Sequence, residues 1–529
     1  MAAKRQLIIN AFAMQAPGHL NPGLWRYPSD TSTDYSSIKH WISLAQKLEK
    51  AKFHAVFFAD VLGGYDVYNG PANLDATIPA AAQFPINDPL YSIPAMAAAT
   101  ESIGFGVTAS TTYESPYMLA RKFSTVDHLA EGRVAWNIVT SYLDSAARNF
   151  GLDTQIPHDE RYEIAHEYME VAYKLWEGSW RDDARSAAPK GAYADPKCVR
   201  QIDHKGKHFA IPGPHICEPS KQRTPFLFQA GTSSAGRRFA ATHAEAIFLN
   251  GHTAELVRPS VDSIRAQARA LGRDPSSIKI VAGLLVIVGE TDEKAHAKFE
   301  ELASYGDREG ALALFGGWSG YDLGKYSDDE DFRFLDTAPP AVRSMVNHWA
   351  ASSPQGTRWN KKAIAEHLII GGNGAKVVGS ATTVADELER WVEVADVDGF
   401  NLSYAAVPET FDDVIEFLLP ELRRRGLFWA DYAVQGGTLR ENYLGVKGRE
   451  RLDKTHPGAR FFWKAGEDVP EYAREANASK EDNGALGAEE TLGGKKSNGS
   501  VAAPEANGEK RVSGSTETLD SPAKRQRIV

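Results

Sequence analysis

The chain has 529 residues, 43% of them hydrophobic and 10% aromatic, and a net charge of −10. That composition supports a large buried core, while the acidic balance argues against nucleic acid, whose phosphates need clustered Lys and Arg. Two cysteines, Cys198 and Cys217, are too few for a disulfide framework or a cysteine zinc site. The longest apolar run, Ile280–Gly289, falls far short of the roughly 20 residues of a membrane helix. Met1–Gln6 is basic but leads into a strand-like run rather than a secretory core. A cytoplasmic enzyme in a reducing compartment is the expectation, with neither membrane nor nucleic acid as partner.

Taken in chain order, short apolar runs alternate with longer amphipathic ones. Leu7–Phe12 reads as a strand, and Ile38–Lys52 as a helix leading into a second strand, Ala55–Asp60. A third strand, Phe105–Thr111, follows a helical stretch that ends near Thr100. Tyr117–Leu129 precedes the fourth, Arg133–Val139, and the helical stretch Tyr162–Glu177 comes next. Further strands are Pro225–Gly231, Glu245–Asn250, Lys279–Val288 and Gly399–Tyr404. Near-continuous apolar strands separated by helices imply a parallel sheet covered on its outer face. About eight such units predict an α/β fold, a (β/α)8 TIM barrel, with an open doubly wound sheet as the alternative. Two Pro-, Gly- and charge-rich segments, 178–224 and 303–365, break the rhythm and read as functional inserts. The barrel is expected over residues 4–472. After Tyr472 there is no aromatic residue, and 473–529 reads as a disordered tail. Its basic end, Lys524-Arg525-Gln526-Arg527, reads as solvated tail charge, with a nuclear-import signal as the other possibility.

Barrel chemistry sits at the C-terminal ends of strands. His19 follows the first strand, Asp60 ends the second, Thr108 lies in the third, and Asn137, Val139 and Tyr142 lie at the end of the fourth. After the fifth, Gly231-Thr232-Ser233-Ser234 opens a helix. Free N–H groups and the helix dipole favour an anion there, and simple N-capping by Ser233 or Ser234 is the competing explanation. His158 and Tyr162 are four apart, hence on one face if both are helical. Gly104–Ala109 fits G-x-G-x-x-A but falls inside a strand, where a dinucleotide fingerprint cannot work. Gly371–Lys376 lacks the spacing of a phosphate loop. No His/Glu metal spacing and no paired carboxylates stand out.

Ordered stretches then carry a family resemblance. They include Asn10-Ala11-Phe12, Gly23-Leu24-Trp25-Arg26, Phe58-Ala59-Asp60, Trp136-Asn137-Ile138-Val139-Thr140-Ser141, Asn149-Phe150-Gly151, His158-Asp159-Glu160-Arg161-Tyr162 and Gln229-Ala230-Gly231. Over about Leu7–Leu444 the chain resembles the bacterial-luciferase-like, flavin-dependent monooxygenases, in the branch of the nitrilotriacetate, dibenzothiophene-sulfone and long-chain alkane enzymes. The resemblance implies a two-component oxygenase that binds FMN non-covalently. A separate NAD(P)H:flavin reductase would supply the flavin reduced, and oxygenation of a small organic substrate would pass through a flavin C4a-hydroperoxide. It places Asp60, Thr108, Asn137 and Val139 at the isoalloxazine ring, His158 and Tyr162 at the ribityl-phosphate side, and Ser233 and Ser234 at the phosphate. It also implies a homo-oligomer. His19 and Tyr142 are the candidate catalytic residues. Trp25, Phe57, Phe58, Trp136, Tyr142 and the 303–365 insert are candidates for an apolar lining that excludes water, with core packing as the alternative for the aromatics and required for one of Phe57 and Phe58, which alternate along a strand. Ala16 and Tyr142 stand where the alkane enzyme carries Cys and His, which moves the chain away from that pocket, and Tyr142 with Leu143–Arg148 sits closer to the sulfone and aminocarboxylate branches, so an aminocarboxylate-, sulfone- or alkane-like substrate is expected. A flavin-binding protein without oxygenase activity, or a deazaflavin-linked oxidoreductase, is the alternative in the same superfamily.

Overall fold

The barrel strands are largely apolar on both faces because each face is buried against something different. The computed structural model describes residues 5–185, 191–231, 233–351, 353 and 356–475. Strands β1 (Ile8–Met14), β2 (Ala55–Ala59), β3 (Gly104–Ser110) and β4 (Val134–Val139) are followed by a short hairpin, β5 (His204–Lys205) and β6 (Ala210–Ile211). Then come β7 (Phe226–Gln229), β8 (Ala246–Leu249), β9 (Lys279–Gly289), β10 (Ala375–Ser380) and β11 (Gly399–Ser403). The large sheet runs β10-β9-β11-β1-β2-β3-β4-β7-β8, and an extra β8–β9 pairing closes it. Eight parallel strands therefore form a barrel with helices between them, as expected, and all eight predicted strands are present.

Parity along each strand sorts the side chains. On β2, Val56 and Phe58 join the outer core under the helices, while Ala55 and Phe57 face the barrel interior with Phe226, Phe228 and Phe248. The interior bottom is closed by Leu439 and Tyr443 of the helix Leu439–Leu444. Gly104 and Gly106 leave no room for a side chain: a Cβ would strike Leu439 at the first and the Phe228 ring at the second. These glycines serve barrel packing, in keeping with the rejected dinucleotide motif.

β10 was not foreseen as a strand. It lies outside the closed barrel and pairs only with β9, along Leu284–Gly289, a segment that starts past the last β8 partner at Ala282 and runs on beyond the last β11 partner at Leu285. The insert around 303–365 folds as helices Arg308–Ser319, Pro340–Ala351 and Lys361–Leu368 around a second core in which Phe315, Trp349, Trp359 and Leu368 pack with Leu285 and Ile287 of β9 and with Leu24. Ordered backbone runs a little past the expected boundary, through a helical turn at 471–475. The rest of the tail, with its basic end, lies outside the described residues. No helix among the described residues is long and apolar enough to cross a membrane.

Candidate active site

Two cavities adjoin at the C-terminal end of the barrel. The outer one has a volume of about 890 Å3 and the inner one about 550 Å3. They share Asp60, Thr108, Val139, Tyr142, Ala230 and Trp318 in their walls.

The outer cavity ends at the helix Ser234–His243. Ser233 is its N-cap, and its hydroxyl accepts from the Gly236 N–H at 3.0 Å. The capping role raised from the sequence is therefore real, and the remaining first-turn N–H groups still face an anion-favouring end. Tyr162 lies over this turn. Its hydroxyl would sit 2.8 Å from a Cβ on Gly231 and 2.9 Å from one on Gly236, so only glycine fits at either position. Burial raises the Tyr162 pKa, with opposing hydrogen bonds to Ser233 and Thr140. The helix His158–Trp176 puts His158 and Tyr162 on one face, with ring centroids 5.2 Å apart. His158 is exposed, and its Nδ1 lies 2.7 Å from Asp159 Oδ1. Arg161, buried on the same turn, also lines the cavity, and its Nε has no partner. Ser234 is exposed and stands outside the cavity wall as described.

Where the cavities meet, two side chains and a backbone carbonyl lock one another. Thr108 Oγ1 donates to the Phe58 carbonyl at 2.8 Å and accepts from Asn137 Nδ2 at 2.8 Å. Asn137 is 4% exposed, and this leaves its Oδ1 a buried acceptor without a partner. Gln229, at the end of β7, likewise keeps Oε1 buried and unpartnered in the wall of the outer cavity. Such orphaned acceptors fit a ligand bearing N–H or O–H groups. Asp60 is desolvated and faces the charge of Asp88, which together push its pKa up to about 7.

The inner cavity is lined by Phe12, Phe57, Phe248 and Leu285, with His19 among them. His19 is 1% exposed, rests edge-on against Phe12 at 4.4 Å, and has no partner for Nδ1. Burial pulls its pKa down to about 3, so the ring is neutral. A chain of hydrogen bonds leads from its backbone. Gln83 Nε2 donates to the His19 carbonyl at 2.9 Å, Tyr65 donates to Gln83 Oε1 at 2.8 Å, and Tyr142 and Tyr65 hydroxyls lie 2.9 Å apart. Tyr142 is 45% exposed and lines both cavities, so its free surface opens onto them. Desolvation, then the neighbouring Tyr65, raises its pKa well above the usual phenol value. The roof is Trp318, from the insert. Gly317 lets its helix rest on the Tyr65 ring, where any Cβ would overlap, and the Trp318 indole donates to Tyr65 at 3.3 Å.

Nine of the ten residues singled out from the sequence line these cavities, Ser234 being the exception. The aromatic lining needs correction. Trp136 and Phe58 point outward into the core under the helices, because strand parity turns Asn137 and Phe57 inward. Trp25 lies under the Arg26 guanidinium instead. Tyr65 and Gln83 lie in loops and carried no sequence signal, Trp318 was covered only by the insert as a whole, and Arg161 stood within the resembling stretch His158–Tyr162 without a role of its own.

The segment 23–397 matches the family model described as luciferase-like monooxygenase. The chain is 47% identical over 461 residues to the dimethyl-sulfide monooxygenase of Hyphomicrobium sulfonivorans, covering 87% of this chain and 94% of that one. It is 46% identical over 458 residues to the long-chain alkane monooxygenase of Geobacillus thermodenitrificans, covering 86% and 98%. The crystal structure of DmoA from Hyphomicrobium sulfonivorans superposes with a TM-score of 0.81 at 46% identity, over 87% of this chain and 96% of the other. A crystal structure of riboflavin lyase with modified FMN and riboflavin superposes with a TM-score of 0.77 at 34% identity, over 86% and 99%. A closed parallel barrel with two adjoining cavities at the C-terminal end of its strands, matched along most of its length, thus belongs to the luciferase-like monooxygenases, a flavin-dependent family of enzymes.

Proposed function

We propose that the chain is the oxygenase of a two-component system. It takes FMN reduced by a separate NAD(P)H:flavin reductase, together with O2, and oxygenates a small organic substrate. The observation that carries this reading is the junction of the two cavities at Thr108, Asn137 and Val139. An anion-favouring helix end lies on one side and a largely apolar chamber on the other. FMN has the matching parts: a phosphate, a flat ring edged with N–H and C=O groups, and a reacting face that must be kept dry.

The fit rests on the orphaned acceptors and the glycine-only turn. Ser233, Tyr162, His158 and Arg161 would hold the phosphate side, with Ser234 further out on the same turn. Asp60, Thr108, Asn137 and Val139 would face the ring. Bound reduced flavin supplies the electrons that let one atom of O2 enter the substrate while the other leaves as water. The chain's own work is orientation, desolvation and proton handling. Asn137 Oδ1 orients a ring N–H, because Thr108 holds the other end of the amide. Phe12, Phe57, Phe248 and Trp318 keep water from the inner chamber. His19, held neutral by burial, serves as a hydrogen-bonding group rather than a cation. Asp60, with a pKa raised to about 7, can hold or release a proton at the boundary.

The reductase follows from the absence of a nicotinamide fingerprint, since Gly104–Ala109 is barrel strand. The family resemblance also supports a homo-oligomer. The test mixes the chain with chemically reduced FMN in air and a panel of sulfides, sulfones and alkanes. One product should gain a single oxygen atom. NADH with FMN but no reductase should be consumed only at the blank rate, and vigorous NADH oxidation by the chain alone would overturn the two-component reading.

A further inference from the structure

We infer that the inner cavity takes a neutral, predominantly apolar substrate and rejects molecules bearing a carboxylate near the reacting end. This rests on reading that cavity as the substrate chamber. The two cavities divide charge between them. Lys122 and Arg161 stand in the wall of the outer one. Among the described residues that line the inner one there is no Lys or Arg.

The remaining polar groups of the inner wall, Asn250, Asn373 and Ser403 among them, carry no positive charge, so an anion would meet at most neutral donors there. His19 is neutral because it is buried. Asn137 and Asn401 each present a buried Oδ1 with no partner, an acceptor that a carboxylate cannot satisfy. Asp60 is the acid of this wall, and ionising it adds negative charge. The nearest amine, Lys376, lies behind the Gly371–Gly374 segment of the wall. Its Nζ donates to the His367 carbonyl at 2.8 Å and the Gly372 carbonyl at 3.2 Å. An anion brought into this chamber would lose its water and gain no cation, which is strongly unfavourable. A thioether, a neutral sulfone or a hydrocarbon loses little water and meets Phe12, Phe57, Phe248 and Leu285.

A matched pair of probes tests this. Isopentyl methyl sulfide and 3-(methylthio)propionate have the same heavy-atom skeleton, the second carrying carboxylate oxygens where the first has branch methyls. Binding to the FMN-loaded full chain is measured at pH 8 by equilibrium dialysis, which needs no turnover. The neutral probe should bind at least about tenfold more tightly. Equal or tighter binding of the carboxylate, or no binding of the sulfide, overturns the inference. Asn250→Lys brings a cation to the inner wall and, with its fold checked by circular dichroism, should shift the ratio about tenfold toward the carboxylate. An unchanged ratio in the folded variant also counts against the inference. If the sulfide binds but gains no oxygen with reduced FMN in air, the oxygenase reading fails and the chamber's selectivity stands. If the carboxylate is oxygenated with the higher kcat/KM, the selectivity fails and the oxygenase reading stands.

Discussion

The hydroxyls of Tyr142 and Tyr65 lie 2.9 Å apart, and the direction of that hydrogen bond is fixed from a distance. Gln83 uses its Nε2 on the His19 carbonyl, so its Oε1 must receive the Tyr65 proton. The Tyr65 oxygen then accepts, from the Trp318 indole and from Tyr142. Tyr142 thus directs its proton away from the cavity and its lone pairs into it. Tyr65→Phe breaks this order. It leaves Gln83 Oε1 buried and unpaired, costing about 1–3 kcal/mol in urea unfolding, and frees the Tyr142 proton to turn. The yield of oxygenated product per reduced FMN should fall, with more hydrogen peroxide released. An unchanged yield would show that the tyrosine pair does not orient anything in turnover.

Gly231 and Gly236 should tolerate no side chain beneath Tyr162. Gly236→Ala pushes a methyl group to within 2.9 Å of the Tyr162 hydroxyl and should weaken FMN binding about tenfold or more in fluorescence titration. Removing the hydroxyl with Tyr162→Phe in the same chain should recover part of the loss, so the double variant costs less than the sum of the singles. Strict additivity would separate the two residues.

Ser233 has two roles that one substitution separates. Ser233→Ala removes the cap on Gly236 and should cost about 1 kcal/mol of stability. If the phosphate sits at this turn, FMN should also weaken while riboflavin, which lacks the phosphate, does not. Parallel losses for both flavins would leave Ser233 as a cap alone.

Buried titratable groups give stability a pH dependence of definite sign. Burial holds His19 and His54 near pKa 3 and His215 near 4, against 6.5 unfolded. Their neutral forms stabilise the fold above pH 6.5, and that contribution is lost as pH falls below it. Asp60 runs the other way. Its pKa is raised from 3.8 to about 7, so the stability of its protonated form is complete below 3.8 and lost as pH rises to 7. Thermal unfolding of the flavin-free chain should therefore show Tm falling below pH 6.5. Asp60→Asn should gain Tm relative to the parent between pH 4 and pH 8. A variant curve parallel to the parent's would mean Asp60 has an ordinary pKa.

The fold was legible because the barrel strands are short runs apolar on both faces that alternate with longer amphipathic helices. β10 escaped because it is only partly buried, follows Gly371-Gly372-Asn373-Gly374, and pairs on one side only. The site was legible where it sits on strand ends: Asp60, Thr108 and Asn137 follow from strand position. Parity along β4 could also have turned Trp136 outward, since Asn137 was already assigned inward. Tyr65, Gln83 and Trp318 were illegible because they meet only in three dimensions. They come from two loops and an insert and are joined by hydrogen bonds between residues 18 and 253 positions apart.

The central claim is oxygen insertion with reduced FMN, and a single turnover under labelled oxygen tests it most directly. The chain is loaded anaerobically with chemically reduced FMN and a neutral sulfide, then mixed with 18O2, and the product is weighed by mass spectrometry. The account predicts one 18O atom in the organic product, at a yield that collapses when Trp318→Ala opens the inner chamber to water. Full reoxidation of the flavin with every labelled atom recovered as peroxide or water, across the whole panel of neutral substrates, would contradict it.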